Sequence, residues 1–439
     1  MRGKKLGKPL IGILLVSTLM VTAFATPALA NGDFPLEPDD PVITDAVGFL
    51  GSDAVQDPAT GAIGTYSDSG WAIMAIAAAG EDPNDFGDPS LVDYVKDNAA
   101  LLASEFNMGT ALARIVLAAV AACEDPSAFG PGDPTYPPGG DYISALKALH
   151  NGEQFTDGLG AEDTLNDDLW GLLALAAAGE DPDSDIVTST VNFILFHQND
   201  DGGWGWATTD NLYYSGSDVD DTAAGIMALA AVGFDMTLAE IQHPDYGALA
   251  YLRNNQDASG GFLSWGAVSL ASTTWAVDAI VAAVGNPTDA QWAPDGINPV
   301  EFIMTYRNPS DGSFLDSGAY SPNPQKDTSD ALMALTGSFF PITPECAEFV
   351  FEDPRRGTKL AIIDSDAHTF CFTAPDGYSS GVIKAKYMRV RRGQFTIIHN
   401  DRKVTATFRG NIKRDWCLGL VWDKVNRRFY IIRDPRGVE

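Results

Sequence analysis

The stretch from residue 191 to residue 233 reads VNFILFHQNDDGGWGWATTDNLYYSGSDVDDTAAGIMALAAVG and contains each kind of segment that the chain repeats. An apolar segment ends at Gln198, and a turn rich in Gly and Trp follows it. After a polar loop and a group of aspartates comes an Ala-rich run that ends at Gly233. A run of Ala and large aliphatic residues without Pro favours an α-helix. The stretch therefore predicts two helices joined by a long turn.

Ala-rich apolar runs of this kind recur along the chain. They span residues 70–80, 110–123, 169–179, 222–233, 273–285 and 328–337. Most of them end at a Gly, which suits a left-handed helix terminus. The runs are apolar nearly all round, which indicates burial, and more amphipathic segments lie between them. This alternation predicts six helical hairpins in an α6/α6 toroid, with an open solenoid as the alternative.

The charge of the chain changes sign near residue 344. Residues 31–343 carry 47 acidic and 6 basic side chains, whereas residues 344–439 carry 12 acidic and 18 basic ones. The first segment is the predicted toroid, and its negative charge argues against a nucleic-acid partner. The second has strand-like segments between turn signals and predicts a small, basic, β-rich domain. Its basic side chains could dock on the acidic segment, bind an anionic cell-surface polymer or form an ordinary solvated surface.

The first thirty residues have the pattern of an export signal. Basic residues precede an apolar stretch over residues 10–25, and Ala28-Leu29-Ala30 has the form of a cleavage site. The apolar stretch is short for a membrane-spanning helix, and no second run approaches that length. We expect a signal peptide over residues 1–30 and a mature protein that is secreted or at the cell surface and not transmembrane.

The four cysteines are compatible with disulfide bonds in an exported protein. Cys371 and Cys417 lie in strand-like segments and are the first choice for a pair, although four cysteines allow three pairings. Cys123 falls in an Ala-rich run and is expected to be a core residue. Cys346 is the fourth.

The aspartate cluster, which comprises Asp218, Asp220 and Asp221, stands at the start of the fourth Ala-rich run. Ser217 and Asp220 have the spacing of a capping box, so a purely structural role is open. In four other runs, aligned on their ends, the residues that correspond to Asp221 are Asp68, Asp167, Thr273 and Asp327. Those that correspond to Asp220 are Ser67, Asn166, Ser272 and Lys326. Asp220 is the one acid at its position and is therefore the candidate functional carboxyl.

These motifs resemble the squalene-cyclase and prenyltransferase superfamily of α/α toroids over about residues 45–340. The turns QNDDGGW (198–204) and QDASGGF (256–262) look like QW motifs, and DVDDTA (218–223) matches the DxDDTA motif of class II terpene cyclases. The resemblance implies that Asp220 protonates a double bond or an epoxide, with Asp218 and Asp221 in support. Such a carboxyl must be neutral, as apolar walls and neighbouring carboxylates favour.

Aromatic side chains are expected at the mouth of the toroid beside the aspartate cluster. The candidate ligand-binding residues are Trp71, Trp170, Trp275, Tyr213 and Tyr214. Trp71 and Trp170 align with one another in the repeat, and Trp275 lies one position away. Aromatic walls with carboxylates suit an apolar, cationic or carbohydrate ligand, although rings at helical spacing are more often core residues than pocket residues.

The function predicted first is binding of a small apolar or carbohydrate ligand, or of a cell-surface component, through the central cavity. Export and a single toroid favour binding, because the triterpene cyclases resembled use two helical domains with the active site between them, and because isoprenoids are made inside cells. A class II terpene-cyclase-like enzyme is the alternative, and a carbohydrate-active enzyme with two carboxylates is the second. No cofactor is expected. Cys123 and the His residues of residues 31–343 lack the spacing of a zinc site, such as the one in protein prenyltransferases.

Overall fold

The computed structural model describes residues 34–102, 108–130, 137–156, 164–212 and 214–344, together with the backbone of seven strands between residues 369 and 434. The predicted signal peptide and Tyr213 lie outside the described residues. Within them, no helix is long and apolar enough to cross a bilayer.

Six helices coincide with the Ala-rich runs, and we call them the inner helices. They are α2 (Tyr66–Ala78), α4 (Met108–Ala121), α6 (Leu165–Ala177), α8 (Val219–Ala231), α11 (Leu270–Val284) and α13 (Pro324–Leu335). The other α-helices of the described residues are α1 (Pro41–Leu50), α3 (Leu91–Leu102), α5 (Tyr142–Lys147), α7 (Asp185–Phe196), α9 (Ala239–Gln242), α10 (Ala248–Asn254) and α12 (Pro299–Met304). The expected alternation of Ala-rich and amphipathic helices is therefore present.

The inner helices contact one another in chain order. Each contacts the next, and α13 returns to contact α2. The helices α3, α5, α7, α10 and α12 each pack against one or two inner helices. Alanine lets helix axes approach closely, and in α2 every residue from Asp68 to Ala77 is buried. This continuous burial matches the apolar character of the run on all its faces.

Each inner helix is followed by a residue in the left-handed conformation. These residues are Gly80, Cys123, Gly179, Gly233, Gly285 and Gly337, with φ between 59° and 92°. The predicted left-handed ends are confirmed. The expectation that Cys123 is a helical core residue is wrong, because it follows α4 and forms a disulfide bond. A side chain in this conformation is strained where glycine is not.

The glutamines of the turns hold adjacent segments together. Gln198 Nε2 donates to the carbonyl oxygens of Gly202 and Glu240, both at 2.7 Å. Gln256 repeats the pattern with Gly260 and Trp292, at 2.9 and 2.8 Å. Each amide therefore closes its own turn and satisfies a carbonyl group of a later segment.

The strands of the described residues form antiparallel pairs. They are β1 (Phe262–Ser264), β2 (Ala267–Ser269), β3 (Thr369–Thr373), β4 (Ser379–Lys384), β5 (Tyr387–Arg391), β6 (Gln394–His399), β7 (Arg402–Thr407), β8 (Cys417–Asp423) and β9 (Arg428–Asp434). The pairs are β1–β2, β3–β4, β5–β6, β6–β7 and β8–β9. Cys371 and Cys417 lie in β3 and β8, which are in contact. Their pairing stays a prediction, as do the domain boundaries at residues 31–343 and 344–439.

Candidate functional site

The residue that caps α8 is Asp218. Its Oδ1 accepts a hydrogen bond from the backbone N–H of Asp221 at 2.8 Å, and its φ and ψ are extended. The expected capping box of Ser217 and Asp220 is wrong. Ser217 Oγ instead donates to Asp201 Oδ1 at 2.7 Å, because the preceding loop turns that hydroxyl away from the helix. Asp220 is therefore free of a capping role, since a neighbouring carboxylate performs it.

A recurring hydrogen bond gives the true register of the inner helices. Near the start of each of five inner helices, one side-chain oxygen accepts from the backbone N–H of an apolar residue in the preceding turn, at 2.7–3.0 Å. The acceptor residues are Ser69, Asp168, Thr222, Thr273 and Thr328. This register places Ala271, and not Ser272, at the position of Asp220 in α11. Asp220 still corresponds to Ser67, Asn166 and Lys326, and remains the one acid among these five.

The carboxyl group of Asp220 is held in a form that favours the proton. Its Oδ1 is buried and has no hydrogen-bond partner. Burial, as the largest cause, raises the pKa of Asp220 from 3.8 to about 6. Asp218 and Asp330 raise it further, whereas the Ser272 side chain and Lys326 oppose the rise. Near neutral pH this carboxyl is therefore present in both protonated and ionised forms.

Asp221, the neighbour of Asp220 in the aspartate cluster, has a raised pKa as well. Burial raises the pKa of Asp221 well above its usual value of 3.8, and the charge of Asp218 and a hydrogen bond with that residue raise it further. A protonated Asp221 can donate to Asp218, which holds the start of α8 in place. The three carboxyl groups therefore have two roles: Asp218 and Asp221 organise the helix end, and Asp220 is left to interact across the inner helices.

Across the inner helices from α8 lies a lysine in a ring of acids. Lys326 Nζ lies 2.5 Å from both carboxylate oxygens of Asp330, whose side chain is almost completely buried. On α11, Asp278 is 1% exposed, and its Oδ1 has no hydrogen-bond partner. Burial and the charge of Asp330 raise the pKa of Asp278 well above its usual value, against the effect of Lys326. The positive charge of Lys326 therefore lowers the pKa values of Asp220, Asp278 and Asp330, which burial raises.

Three predicted ligand-binding residues meet at the centre of the inner helices. Trp71, Trp170 and Trp275 contact one another with ring centroids 5.4–6.0 Å apart. Phe340, which follows α13, packs against all three at 5.6–5.9 Å and is fully buried. We call these four rings the aromatic cluster. In the register of the hydrogen bonds above, the three tryptophans occupy equivalent positions, so the expected offset of Trp275 is wrong.

The aromatic cluster borders the charged groups. Lys326 Nζ lies 4.4 Å from the centroid of Trp71 and 5.8 Å from that of Trp275. Arg114 lies against Trp71 as well, with Cζ at 5.9 Å. A tryptophan face attracts cations, which places both basic side chains at the centre of an otherwise acidic segment. Of the remaining predicted ligand residues, Tyr214 lies near the start of α8 and its hydroxyl donates to Asn199 Oδ1 at 3.0 Å.

A cavity of about 610 Å³ lies at the other ends of the inner helices. Its walls are alanines at the ends of α2, α6 and α8 and the segment that follows α13. The lining residues are Ala77, Ala78, Ala176, Ala230, Ala231, Gly337, Ser338, Phe339, Pro341, Ile342, Thr343 and Pro344. The aspartate cluster is at the opposite end of α8, one of these helices. This cavity is therefore not the one expected beside Asp220.

Sequence reasoning missed four residues of this site: Lys326 as a partner, Asp278, Asp330 and Phe340. Asp330 carried a signal, because it occupies the repeat position of Trp71 once the helices are aligned on the hydroxyl and carboxyl acceptors. Phe340 follows the last repeat and has no counterpart in the others. Within the described residues, no group of three or more His, Cys, Asp or Glu side chains could hold a metal ion.

The chain is similar to solved structures of terpene cyclases. The type II terpene cyclase MstE from Scytonema is 13% identical, with 67% of this chain and 96% of that chain covered and a TM-score of 0.42. A variant of MstE in complex with geranylgeranyl dihydroxybenzoate is 14% identical, with 67% of this chain and 95% of that chain covered and a TM-score of 0.42. The ent-copalyl diphosphate synthase from Streptomyces platensis is 16% identical, with 62% of this chain and 50% of that chain covered and a TM-score of 0.42. No protein-family model and no curated protein sequence matches the chain.

Proposed function

We propose that Asp220 is a Brønsted acid that protonates an apolar, unsaturated ligand at the N-terminal ends of the inner helices. The protein would be exported, with an α6/α6 toroid over residues 31–343 and a basic β-rich domain over residues 344–439. The observation that carries this proposal is the state of Asp220: it is released from capping by Asp218, its Oδ1 is buried without a partner, and its pKa is raised to about 6. A solvated capping aspartate would be ionised and unable to donate a proton.

The chemistry is that of a class II terpene-cyclase-like enzyme. The O–H bond of Asp220 breaks, its proton forms a new C–H bond with one carbon of a double bond, and the other carbon becomes a cation. The carboxylate of Asp220 remains. A water molecule takes a proton from the rearranged cation to give a neutral product, and solvent returns a proton to Asp220. Aromatic faces stabilise cations, and Trp71 and Trp275 border the charged groups around Asp220. The contacts within the aromatic cluster must loosen for a ligand to reach these faces.

The test is incubation of the purified mature protein with squalene and with shorter prenyl substrates, followed by analysis of extracted products. We expect a cyclised product from the wild type and none from Asp220→Asn, which keeps the shape of the side chain but lacks the acidic proton. Asp183→Asn is the matched control, because Asp183 is exposed in the loop before α7. It makes the same chemical replacement at a solvated carboxylate and should leave the product unchanged.

Absence of product across the whole panel would rule out the proton-donor role for these substrates. Direct binding measurements with the same panel would then decide whether the protein binds an apolar ligand without chemistry. Equal amounts of product from Asp220→Asn and the wild type would show that another residue is the acid. Asp278 is the next candidate, because burial raises its pKa as well.

A further inference from the structure

An exposed tryptophan stands at the tip of the hairpin that leads into α11. The hairpin pairs Ser264 with Ala267, and its two turn residues, Trp265 and Gly266, have φ of +50° and +82°. Turns of this kind favour Asn or Gly at the first position, because a bulky side chain is strained at positive φ. Trp265 is nevertheless 88% exposed, so packing does not compensate for the strain. Its placement is therefore explained by something other than stability of the fold.

Other large side chains are exposed on the neighbouring loops. Tyr320 and Leu212 project into solvent from the loops before α13 and α8, and Tyr214 is partly exposed beside Leu212. We call Leu212, Tyr214, Trp265 and Tyr320 the rim residues. The helices that they precede are neighbours, since α11 contacts both α8 and α13. The backbone N–H of Leu270 also reaches Asp316 Oδ2 at 3.4 Å, which joins the loops before α11 and α13.

The rim residues lie in uncharged stretches of a segment that is otherwise strongly acidic. No charged residue occurs in residues 211–217, 258–277 or 317–325, whereas residues 31–343 carry 47 acids. These stretches are instead rich in Ser, Gly, Thr and Asn. The charged residues that border these stretches are acidic, apart from Lys326, which pairs with the buried Asp330. These acids would repel an anionic bilayer. An uncharged partner with flat apolar faces and many hydroxyl groups fits both the rings and the polar side chains.

We propose that the rim residues form a docking surface for an uncharged polysaccharide, with Trp265 as the ring on which a sugar face stacks. The C–H face of a pyranose ring is apolar, whereas its edge is polar. A Trp or Tyr ring covers the first, and the Ser and Asn side chains of the same loops can bond the second. This surface is separate from the proton chemistry of Asp220, and it stands whether or not that chemistry occurs.

The test is retention of the mature protein on insoluble cellulose, chitin and mannan, measured as depletion isotherms. The main variant is Trp265→Gly, because glycine adopts the positive φ of this position without strain. The variant should therefore unfold at the same Tm as the wild type or at a higher one. Its affinity for the polysaccharide that retains the wild type should fall at least tenfold. Phe196→Ala is the matched control: Phe196 is 83% exposed, but it belongs to α7 and not to the loops that carry the rim residues.

The wild type and Phe196→Ala should bind alike, and binding should change little between low and high salt because no ion pair is involved. Retention on none of the three polysaccharides would overturn the proposal. Equal retention of Trp265→Gly and the wild type would also overturn the proposal. If Trp265→Gly binds less tightly, its preserved Tm excludes misfolding as the cause. Capture by phosphatidylcholine vesicles without polysaccharide binding would assign the rim to a lipid surface instead.

Discussion

The ammonium group of Lys326 lies 4.4 Å from the ring centroid of Trp71 while it pairs with Asp330. The aromatic face and the carboxylate together compensate for the burial of the cation. Lys326 lowers the pKa values of Asp220, Asp278 and Asp330, each of which is raised by burial. One cation therefore governs the protonation of carboxyl groups on three inner helices.

Replacement of Lys326 by Met should raise the pKa of Asp220 above about 6, because the nearest opposing positive charge is lost. The measurement is a pH titration of ¹³C-labelled aspartate carboxyl groups by NMR, with Asp220→Asn used to assign the signal. Lys326→Arg keeps the charge and should leave the midpoint close to that of the wild type. An unchanged midpoint in Lys326→Met would show that the lysine does not act on Asp220.

The buried aspartates should make the folded protein more stable in mild acid. Asp220 and Asp327 have pKa values of about 6 in the folded state against 3.8 ordinarily. Between about pH 4 and pH 6 the folded chain therefore binds more protons than the unfolded chain, and stability falls as pH rises through this window. Asp168, Asp278 and Asp330 have raised pKa values as well and act in the same direction.

We expect the free energy of unfolding to be higher at pH 5 than at pH 7.5, measured by urea denaturation in 0.5 M salt to screen the general repulsion. Asp327→Asn should remove about 1 to 2 kcal/mol of this difference, because an amide does not titrate. Stability that rises steadily from pH 5 to pH 7.5 in both proteins would contradict the assignment of raised pKa values to these carboxyl groups.

The inner helices could be predicted from sequence because their signals are local. A long run of Ala and aliphatic residues specifies a buried helix wherever it occurs, and the glycine after it specifies the left-handed end. The capping of α8 could not be predicted in this way. Ser217 and Asp218 are both good caps, and the choice depends on Asn199 and Asp201, which bond Ser217 from a turn some sixteen to eighteen residues earlier.

The centre of the inner helices was harder to predict than the helices themselves. Trp71 and Trp170 align in sequence, but a bare alignment cannot distinguish a ring that lines a cavity from one that fills it. Phe340 decides the matter here, because it packs against both of them and is fully buried. It comes from a segment without a repeat counterpart, so no internal comparison could have indicated its position.

The disulfide bond of Cys123 can be assigned by peptide mapping under non-reducing conditions. Cys123 is bonded, and the chain has three other cysteines, at positions 346, 371 and 417. If Cys371 and Cys417 pair, as we predict, Cys123 must pair with Cys346. A linked peptide that contains Cys123 with either of the strand cysteines would contradict this arrangement.

Reduction of the predicted Cys123–Cys346 bond, which closes a long loop, should destabilise the wild type by about 2 to 4 kcal/mol. In Cys123→Gly the same treatment should have a smaller effect, because the bond is already absent. Glycine at this position also relieves the strain of a φ of 59°, by about 1 kcal/mol. The unfolding free energies of both proteins, with and without reductant, separate the two contributions.

Truncation of Phe340 should open the centre of the inner helices. Phe340→Ala removes a fully buried ring that contacts three tryptophans, which should cost about 3 to 5 kcal/mol of stability and leave an aromatic-lined cavity. Such a cavity stays dry and accepts small apolar molecules, so benzene should raise the Tm of the variant and not that of the wild type. Phe340→Leu, which fills most of the space, should lose less stability and gain little from benzene. A Tm of Phe340→Ala close to that of the wild type would show that the tryptophans close over the gap, and that the cluster does not depend on the ring at its centre.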